Sequence, residues 1–227
     1  MKKLIIFTIF SFLSLALFAK SKGYMLRDNG ALRVDNGKGG VEYATEVPAG
    51  TELEVLSDEP VVFDLVTKSE TYPKLKFYQV SYEKKTYYVR ESEIALGSQL
   101  SVILDDTTIF TKPQISSFIN AVLERGTLVV TGPQTKSIGA YTFTEVQYYS
   151  TSASVVRTRY ILNDKISTNK NDVTAIKMID KVASIVNNDK VKEKAMKMEL
   201  FNNAMKLDTS YQISDYISEE YQKQIGD

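Results

Sequence analysis

Apolar and polar residues alternate with a period of two along most of this chain, and the period lengthens to about 3.6 near its end. Thr51-Glu52-Leu53-Glu54-Val55 sets Leu53 and Val55 on one face of a strand and both glutamates on the other. Thr45-Glu46-Val47 runs into it through Pro48-Ala49-Gly50. Pro48 has no N–H for a ladder and Gly50 admits a left-handed backbone, so a tight turn is predicted between two strands. Further on the chain repeats the pattern as Asn120-Ala121-Val122-Leu123-Glu124-Arg125-Gly126-Thr127-Leu128-Val129-Val130.

The stretches before and after that turn also recur. Tyr24-Met25-Leu26 and Leu32-Arg33-Val34 are short apolar segments parted by the turn signal Asp28-Asn29-Gly30, and Asn36-Gly37-Lys38-Gly39-Gly40 reads as a surface loop. Residues 61–66 predict a strand, and residues 68–76, with Pro73, a polar connection. Phe77-Tyr78-Gln79-Val80-Ser81-Tyr82 pairs across a basic tip with Thr86-Tyr87-Tyr88-Val89-Arg90 as a hairpin. In the second half, Thr108-Ile109-Phe110 stands as far before Gly126 as Leu32-Arg33-Val34 before Gly50. Phe143-Thr144-Glu145-Val146-Gln147-Tyr148 echoes residues 77–82, and Val156-Arg157 to Ile161 repeats the Val-Arg-x-x-x-Ile frame of Val89 to Ile94. Echoes in one order predict a duplication, with one small β module over residues 23–97 and another over 101–167. Residues 61–76 are then an insertion in the first copy.

From Asn171 the longer period takes over. Val173, Ile176, Ile179, Ala183 and Val186 mark one helix face, and Val191, Ala195, Met198, Phe201 and Met205 a second. Asn187-Asn188-Asp189 breaks and recaps the chain between them. Thr209-Ser210-Tyr211-Gln212 has capping-box spacing ahead of a third helix carrying Ile213, Tyr216, Ile217 and Tyr221, which Gly226 ends. Met196, Met198 and Met205 read as core filler first and as a soft docking surface second. Residues 171–227 therefore form a helical hairpin or three-helix tail, too small to be stable alone. It is expected to pack on the second module, on another protomer or on a partner. The expected fold class is mainly β with an α-helical C-terminal part.

Residues 1–19 read as a signal peptide, with Lys2-Lys3 basic, an apolar run from Leu4 to Phe18, and Ala19 at the cleavage point. Export to a periplasmic, extracellular or cell-envelope location is expected, with no stable membrane span after cleavage; the alternative is that the segment stays on as an uncleaved anchor. The chain has no Cys, so it must be stable there without disulfides.

Charge balance removes another class of partner. With 28 basic and 28 acidic side chains, no footprint for nucleic acid is present. The chain holds no His and no Cys, which excludes a Ser-His-Asp triad, a Cys-His dyad and zinc sites built on imidazole or thiolate. Asp105-Asp106 and Ser57-Asp58-Glu59 fall in polar loops and read as solvated turn residues rather than an acid–base pair. Lys38-Gly39-Gly40 has no helix after it to make a phosphate loop. No catalytic residue, metal or cofactor is expected, and the chain is expected not to be an enzyme.

The repeated framework resembles the bacterial SH3-like (SH3b) domain. The resemblance rests on Leu32-Arg33-Val34, Pro48-Ala49-Gly50-Thr51, Leu53-Glu54-Val55, Phe77-Tyr78-Gln79-Val80 and Tyr87-Tyr88-Val89 in the first copy. Gly126-Thr127-Leu128-Val129-Val130 and Phe143-Thr144-Glu145-Val146 carry it in the second. It implies two tandem small SH3-like β-barrels and, as partner, a cell-wall (peptidoglycan) peptide or an envelope protein. Members commonly place Gly-Trp in the closing hairpin. Here Tyr87-Tyr88 and Val155-Val156 stand instead, and no Trp occurs in the chain.

The 14 tyrosines concentrate the candidate binding chemistry. Tyr78, Tyr82, Tyr87 and Tyr88 with Arg90 form one cluster, and Tyr148 and Tyr160 with Arg157 a second. Exposed rings beside an arginine grip a peptide or sugar by stacking and hydroxyl hydrogen bonds; the competing reading is cross-strand packing that only stabilises the sheet. A groove between the hairpin tip and the Gly-rich loop is the expected recognition surface. The expected function is that of an exported, non-catalytic binding module. The alternative is a structural or assembly protein whose barrels are spacers and whose helical tail makes the contact, with a protein partner or by self-association.

Overall fold

The computed structural model describes residues 21–226, apart from the side chains of residues 133 and 134. The predicted signal segment lies outside the described residues. The chain is mainly β, in two sheets, with three helices at its C-terminal end. The first sheet uses β1 (Ser21–Met25), β2 (Gly30–Asp35), β3 (Gly40–Val47), β4 (Glu52–Val55), β5 (Val61–Val66), β6 (Thr71–Tyr82), β7 (Lys85–Arg90) and β8 (Ile94–Leu96). The second uses β9 (Gln99–Ile103), β10 (Thr107–Phe110), β11 (Phe118–Leu123), β12 (Leu128–Ile138), β13 (Tyr141–Ser150), β14 (Val155–Leu162) and β15 (Ile166–Ser167).

The first sheet runs β5-β3-β2-β7-β6-β4-β1-β8 and the second β11-β10-β14-β13-β12-β9-β15. With β5 set aside, the two orders are the same strand for strand. The turns repeat as well. Gly50 and Gly126 have φ of +74° and +85°, where a Cβ is strained and glycine is not. Gly50 N–H donates to the Met25 carbonyl, and Thr51 accepts from Met25 N–H; Gly126 and Thr127 make the same exchange with Ile103. Leu26 N–H reaches the Glu93 carbonyl as Leu104 N–H reaches Lys165.

The register corrects two alignments. Arg33 lies opposite Tyr88 as Phe110 lies opposite Tyr160, so Phe110 is the counterpart of Arg33 and not of Val34, one residue off the match by distance from the turn glycines. Val89 lies opposite Tyr78, and Ile161 opposite Thr144, the residue that follows Phe143 as Tyr78 follows Phe77. Val89 therefore corresponds to Ile161, and the Val-Arg-x-x-x-Ile frame that equates it with Val156 is a coincidence. Two residues, Glu83 and Lys84, turn the first hairpin with positive φ, whereas residues 151–154 turn the second, so counting along the sequence slips. The polar connection expected over residues 68–76 is also shorter than read, because β6 already begins at Thr71. Pro73 is accommodated there near the hairpin end, where a missing N–H costs little.

A buried ion pair ties the first module together. Arg33 and Glu93 are both buried, with Arg33 Nη1 3.1 Å from Glu93 Oε2 and the guanidinium 5.7 Å from the Phe77 ring centroid. The modules meet through a small apolar cluster in which Tyr24, Leu26 and Ala95 face Val130, Leu100, Tyr149 and Val156. The Gln147 amide bridges the seam by bonding both the N–H and the carbonyl of Leu96.

The helices are α1 (Lys170–Ser184), α2 (Lys190–Met205) and α3 (Tyr211–Ile225). Asn169 and Asp189 cap α1 and α2 through their side chains. The capping box expected at Thr209 does not form. Ser210 is the N-cap of α3 without a side-chain bond, and its backbone N–H goes instead to the buried carboxylate of Asp172, which also takes the Ser167 hydroxyl. The tail core joins Ile176, Ile179, Phe201, Ile213 and Ile217 to Val102 and Leu128 of the second sheet. The predicted stripes drift off it. Ala183, in the last turn of α1, is exposed and Val186 lies beyond the helix end at Ser184, while Ala175 and Val182 are buried. On α2, Val191, Met196 and Met205 face outward, and Met198 alone of the three methionines packs on the core.

Candidate binding site

The predicted tyrosine and arginine residues do not converge. Tyr78, Tyr82 and Tyr87 are half-buried and pack on the core that contains Val80 and Val89. Tyr88 points from the other face of the same hairpin, its ring edge-on to Phe63 at 5.0 Å, with Arg90 on that face too. Burial, then the charges of Glu91 and Asp58, raise the Tyr78 hydroxyl above its ordinary pKa. In the second sheet Tyr148 is buried in the core and lies opposite the half-buried Arg157. Tyr160 donates to Glu145 at 2.8 Å, a bond that raises its pKa. The eight residues thus split between two sheets, and within the first between two faces. Their geometry is that of cross-strand packing. The expected groove is displaced as well: the Gly-rich loop bounds a hollow of ≈ 560 Å³ with Asp64, Val66 and Thr71 of the β5–β6 hairpin, and the tip at Glu83 and Lys84 takes no part.

A different site follows from the one place where the modules diverge. In the first, β5 pairs antiparallel with β6 and parallel with β3, so β5, β3, β2, β7 and β6 close into a ring. In the second, β12 and β13 follow the same course only so far. Phe143 corresponds to Phe77, and the ladder places Lys136 opposite it as Val61 lies opposite Phe77. Ile138 then stands at the position of Phe63, and Tyr141 at that of Leu75. Gly139 and Ala140 turn the chain there, in place of residues 64–74. The insertion is therefore residues 64–74 rather than 61–76, and it contains the Asp64, Leu65 and Val66 that pair with Gly40, Val41 and Glu42 of β3.

Without that arm the second ring stays open between β11 and the β12–β13 hairpin. The gap is a groove of ≈ 490 Å³ lined by Gln114, Ile115, Ser116, Phe118, Ile138, Tyr141 and Phe143. Phe143 forms its base, edge-on to Phe110 at 5.4 Å and tilted against Tyr141 at 6.5 Å. Phe118 is 65% exposed and Tyr141 and Ile138 each 49%. Side chains of this size left clustered in water mark a surface that expects a partner. Its chemistry is apolar contact and aromatic stacking, with the Gln114 amide and the Ser116 and Tyr141 hydroxyls as polar groups; its lining holds no carboxylate. The sequence signal for it was the length difference between the two hairpins, which marks an addition to the first module and a deficit in the second.

A second hollow, ≈ 650 Å³, lies between the first module and α1, lined by Asp28, Glu46, Pro48, Ala49, Lys177, Asp180 and Lys181 among others. Surrounding protein and, secondarily, Asp28 push the Asp180 carboxyl up to about 7. Solvent still reaches its side chain, so water screens part of that penalty. Lys177 is held here by the Gly50 carbonyl at 3.1 Å. Among the described residues no cluster of three potential ligands could hold a metal ion, and no helix is long and apolar enough to cross a membrane.

No known protein family matches the sequence, and no curated protein does. Among solved structures the chain is similar to that of NlpC2 from Trichomonas vaginalis. The identity is 10% and the TM-score 0.23, and the match covers 74% of this chain and 56% of that one. So loose an overlap carries nothing about shared fold or chemistry.

Proposed function

We propose that this chain is an exported, non-catalytic binding protein of the cell envelope, its two β modules being SH3-like and its ligand a peptidoglycan peptide or an envelope protein. The observation that carries this reading is the open groove of the second module. A duplicated scaffold keeps its strand order, its turns and its turn hydrogen bonds, yet one copy is filled by its own β5 and the other presents Phe118, Ile138 and Tyr141 to solvent. The absence of His and Cys from the sequence, and of convergent acid–base groups from the groove, supports recognition over turnover. The test is co-sedimentation of the purified protein with insoluble peptidoglycan and with solubilised envelope proteins. Wild type is expected to be retained by one of them and Phe118→Arg to be lost from it. Equal retention of the two proteins removes the groove from the function.

The alternative, an assembly protein whose tail makes the contact, draws support from α2. Its outer face leaves Val191 at 80% and Met205 at 45% exposure, and a shallow apolar hollow there is lined by Val191, Ala195 and Met198. Under that reading Val191→Glu breaks the association and Phe118→Arg does not.

A further inference from the structure

We propose that ion pairs of opposite polarity, Arg27 and Arg33 with Glu93 in the first module and Asp105 with Lys165 in the second, decide which closing strand each module takes. They exclude a hairpin of β8 with β9 that the backbone alone would favour. The device acts on folding, and it stands whether or not the groove binds.

β8 closes the first module and β15 the second in matching ladders. Met25 lies opposite Ile94 and Tyr24 opposite Ala95, as Ile103 lies opposite Ile166 and Val102 opposite Ser167. Each closing strand follows a 3₁₀ turn, Glu91–Glu93 or Asn163–Lys165, and each begins with isoleucine and a small residue. Shape and apolarity therefore do not tell the two strands apart. β8 also runs into β9 through only Gly97 and Ser98. A tight turn at Ser98 and Gln99 would set Ala95 opposite Val102 and Ile94 opposite Ile103, the register that β15 holds natively. That hairpin is local and closes in microseconds, whereas both native closures span most of a module and cost more loop entropy.

Charge is what separates the two. The Leu26 and Leu104 N–H groups bond the Glu93 and Lys165 carbonyls, so Arg27 and Asp105, next in the chain, occupy matching places. Arg27 Nη1 is 2.5 Å from Glu93, and Lys165 Nζ is 3.2 Å from Asp105. Arg33 also pairs with Glu93 and lies over Phe77, while its counterpart Phe110 stands edge-on to Phe143 and brings no cation. In the competing hairpin Glu93 takes the place of Lys165, so it meets Asp105 and finds no guanidinium at Phe110. Arg33 is left buried without its anion, and an unpaired buried charge is strongly unfavourable. The converse exchange, β15 on β1, sets Lys165 beside Arg27 and Arg33. Each wrong closure thus gathers like charges, and each right one neutralises them. β15 leads through Asn169 into α1, and the Ser167 hydroxyl bonds Asp172, so displacing β15 would unseat the helical tail as well.

The test reverses the polarity of the second module without breaking its pair. Asp105→Lys with Lys165→Asp keeps an ion pair across the same contact but offers Glu93 a lysine in the competing hairpin. Both side chains are partly exposed, so the urea midpoint should stay near that of wild type. Refolding from urea is followed by the near-ultraviolet circular dichroism of the tyrosines. The reversed variant should lose at least half of the wild-type fast amplitude to a phase at least tenfold slower, at a rate unchanged by dilution. Asp105→Glu with Lys165→Arg, which keeps the original polarity, should refold as wild type does. The neutral pair, Asp105→Asn with Lys165→Gln, should fall between them. Wild-type kinetics in the reversed variant overturn the proposal, and so does a slow phase of equal size in the polarity-keeping control. A slow phase whose rate depends on concentration overturns it too, because exchange between copies then replaces the local hairpin. If the reversed variant does not fold, the neutral pair carries the comparison, and wild-type kinetics there overturn the proposal.

Discussion

Gly126 lies directly against Tyr216: a Cβ built on the glycine would come within 2.8 Å of the tyrosine ring. Arg125 completes the contact, its guanidinium 5.3 Å from the same ring and its nitrogens bonded to Asp215 and Glu219 of α3. Burial pushes the Tyr216 hydroxyl up to about 12, so the ring is neutral at any physiological pH. The other repeated turn is engaged in the same manner, with Gly50 against Leu100, Leu128 and the Lys177 chain of α1. The tail thus seats on both turn glycines of the duplication.

Gly126→Ala should therefore destabilise the protein by about 2–3 kcal/mol, combining a left-handed backbone with a steric clash. Urea unfolding measures it. In a Tyr216→Ala background the clash is relieved, and the same substitution should cost about 1 kcal/mol, the backbone part alone. Equal costs in the two backgrounds would mean that the ring does not press on the turn.

Those turns were legible in the sequence because they need a specific residue: positive φ at Gly50 and Gly126 leaves glycine as the low-cost choice. Strand alternation around them was legible for the same kind of reason, each strand having one buried face. What escaped depends on partners the sequence does not index. Val191 and Met205 have helical spacing with Phe201, yet α2 is the outer helix and buries only the side facing α1 and α3. Tyr78, Tyr82 and Tyr87 alternate as exposed ring platforms would, but a half-buried tyrosine on a core has the same spacing. The groove at Phe118 is defined by residues that are missing, and absence carries no periodicity.

The Asp180 carboxyl gives the tail contact a pH dependence opposite in sign to that of a salt-bridged aspartate. Its folded pKa, about 7, stands above the ordinary value of 3.8. Below pH 4 it is neutral in both folded and unfolded chains and costs nothing. As pH rises towards 7 the unfolded chain ionises more readily, so stability falls through that window and levels off above it. Asp28 and Glu46 face it with negative charge, and Lys177 and Lys181 partly offset them. Asp180→Asn should thus be stabilising by about 1 kcal/mol at pH 8, a figure reduced from the full shift because solvent reaches the group. At pH 4 it should be neutral. Urea midpoints at both pH values check the sign; a substitution that is more stabilising at pH 4 would refute the assignment.

If the difference between the modules is the strand that closes the ring, it should be transferable. Replacing residues 64–74 by Gly-Ala gives the first hairpin the turn that Gly139 and Ala140 make in the second. It removes the ladder from Asp64, Leu65 and Val66 to β3, and with it the Asp64 carboxylate that accepts the Lys74 N–H at 2.9 Å. Phe63, Phe77 and Leu75 remain, so the base of the slot is kept while its occupant is gone. The shortened protein should be less stable, since the β3 edge loses its partner and apolar surface is exposed. It should also gain a site in the first module. A synthetic peptide of residues 58–68 should bind the shortened chain with a stoichiometry of one and the full chain not at all, and saturating peptide should restore part of the lost stability through mass action. Isothermal titration gives the stoichiometry and a thermal melt with and without peptide gives the recovery. Absence of binding, with no recovery in the melt, would show that the first module's ring does not depend on β5 as a separable strand.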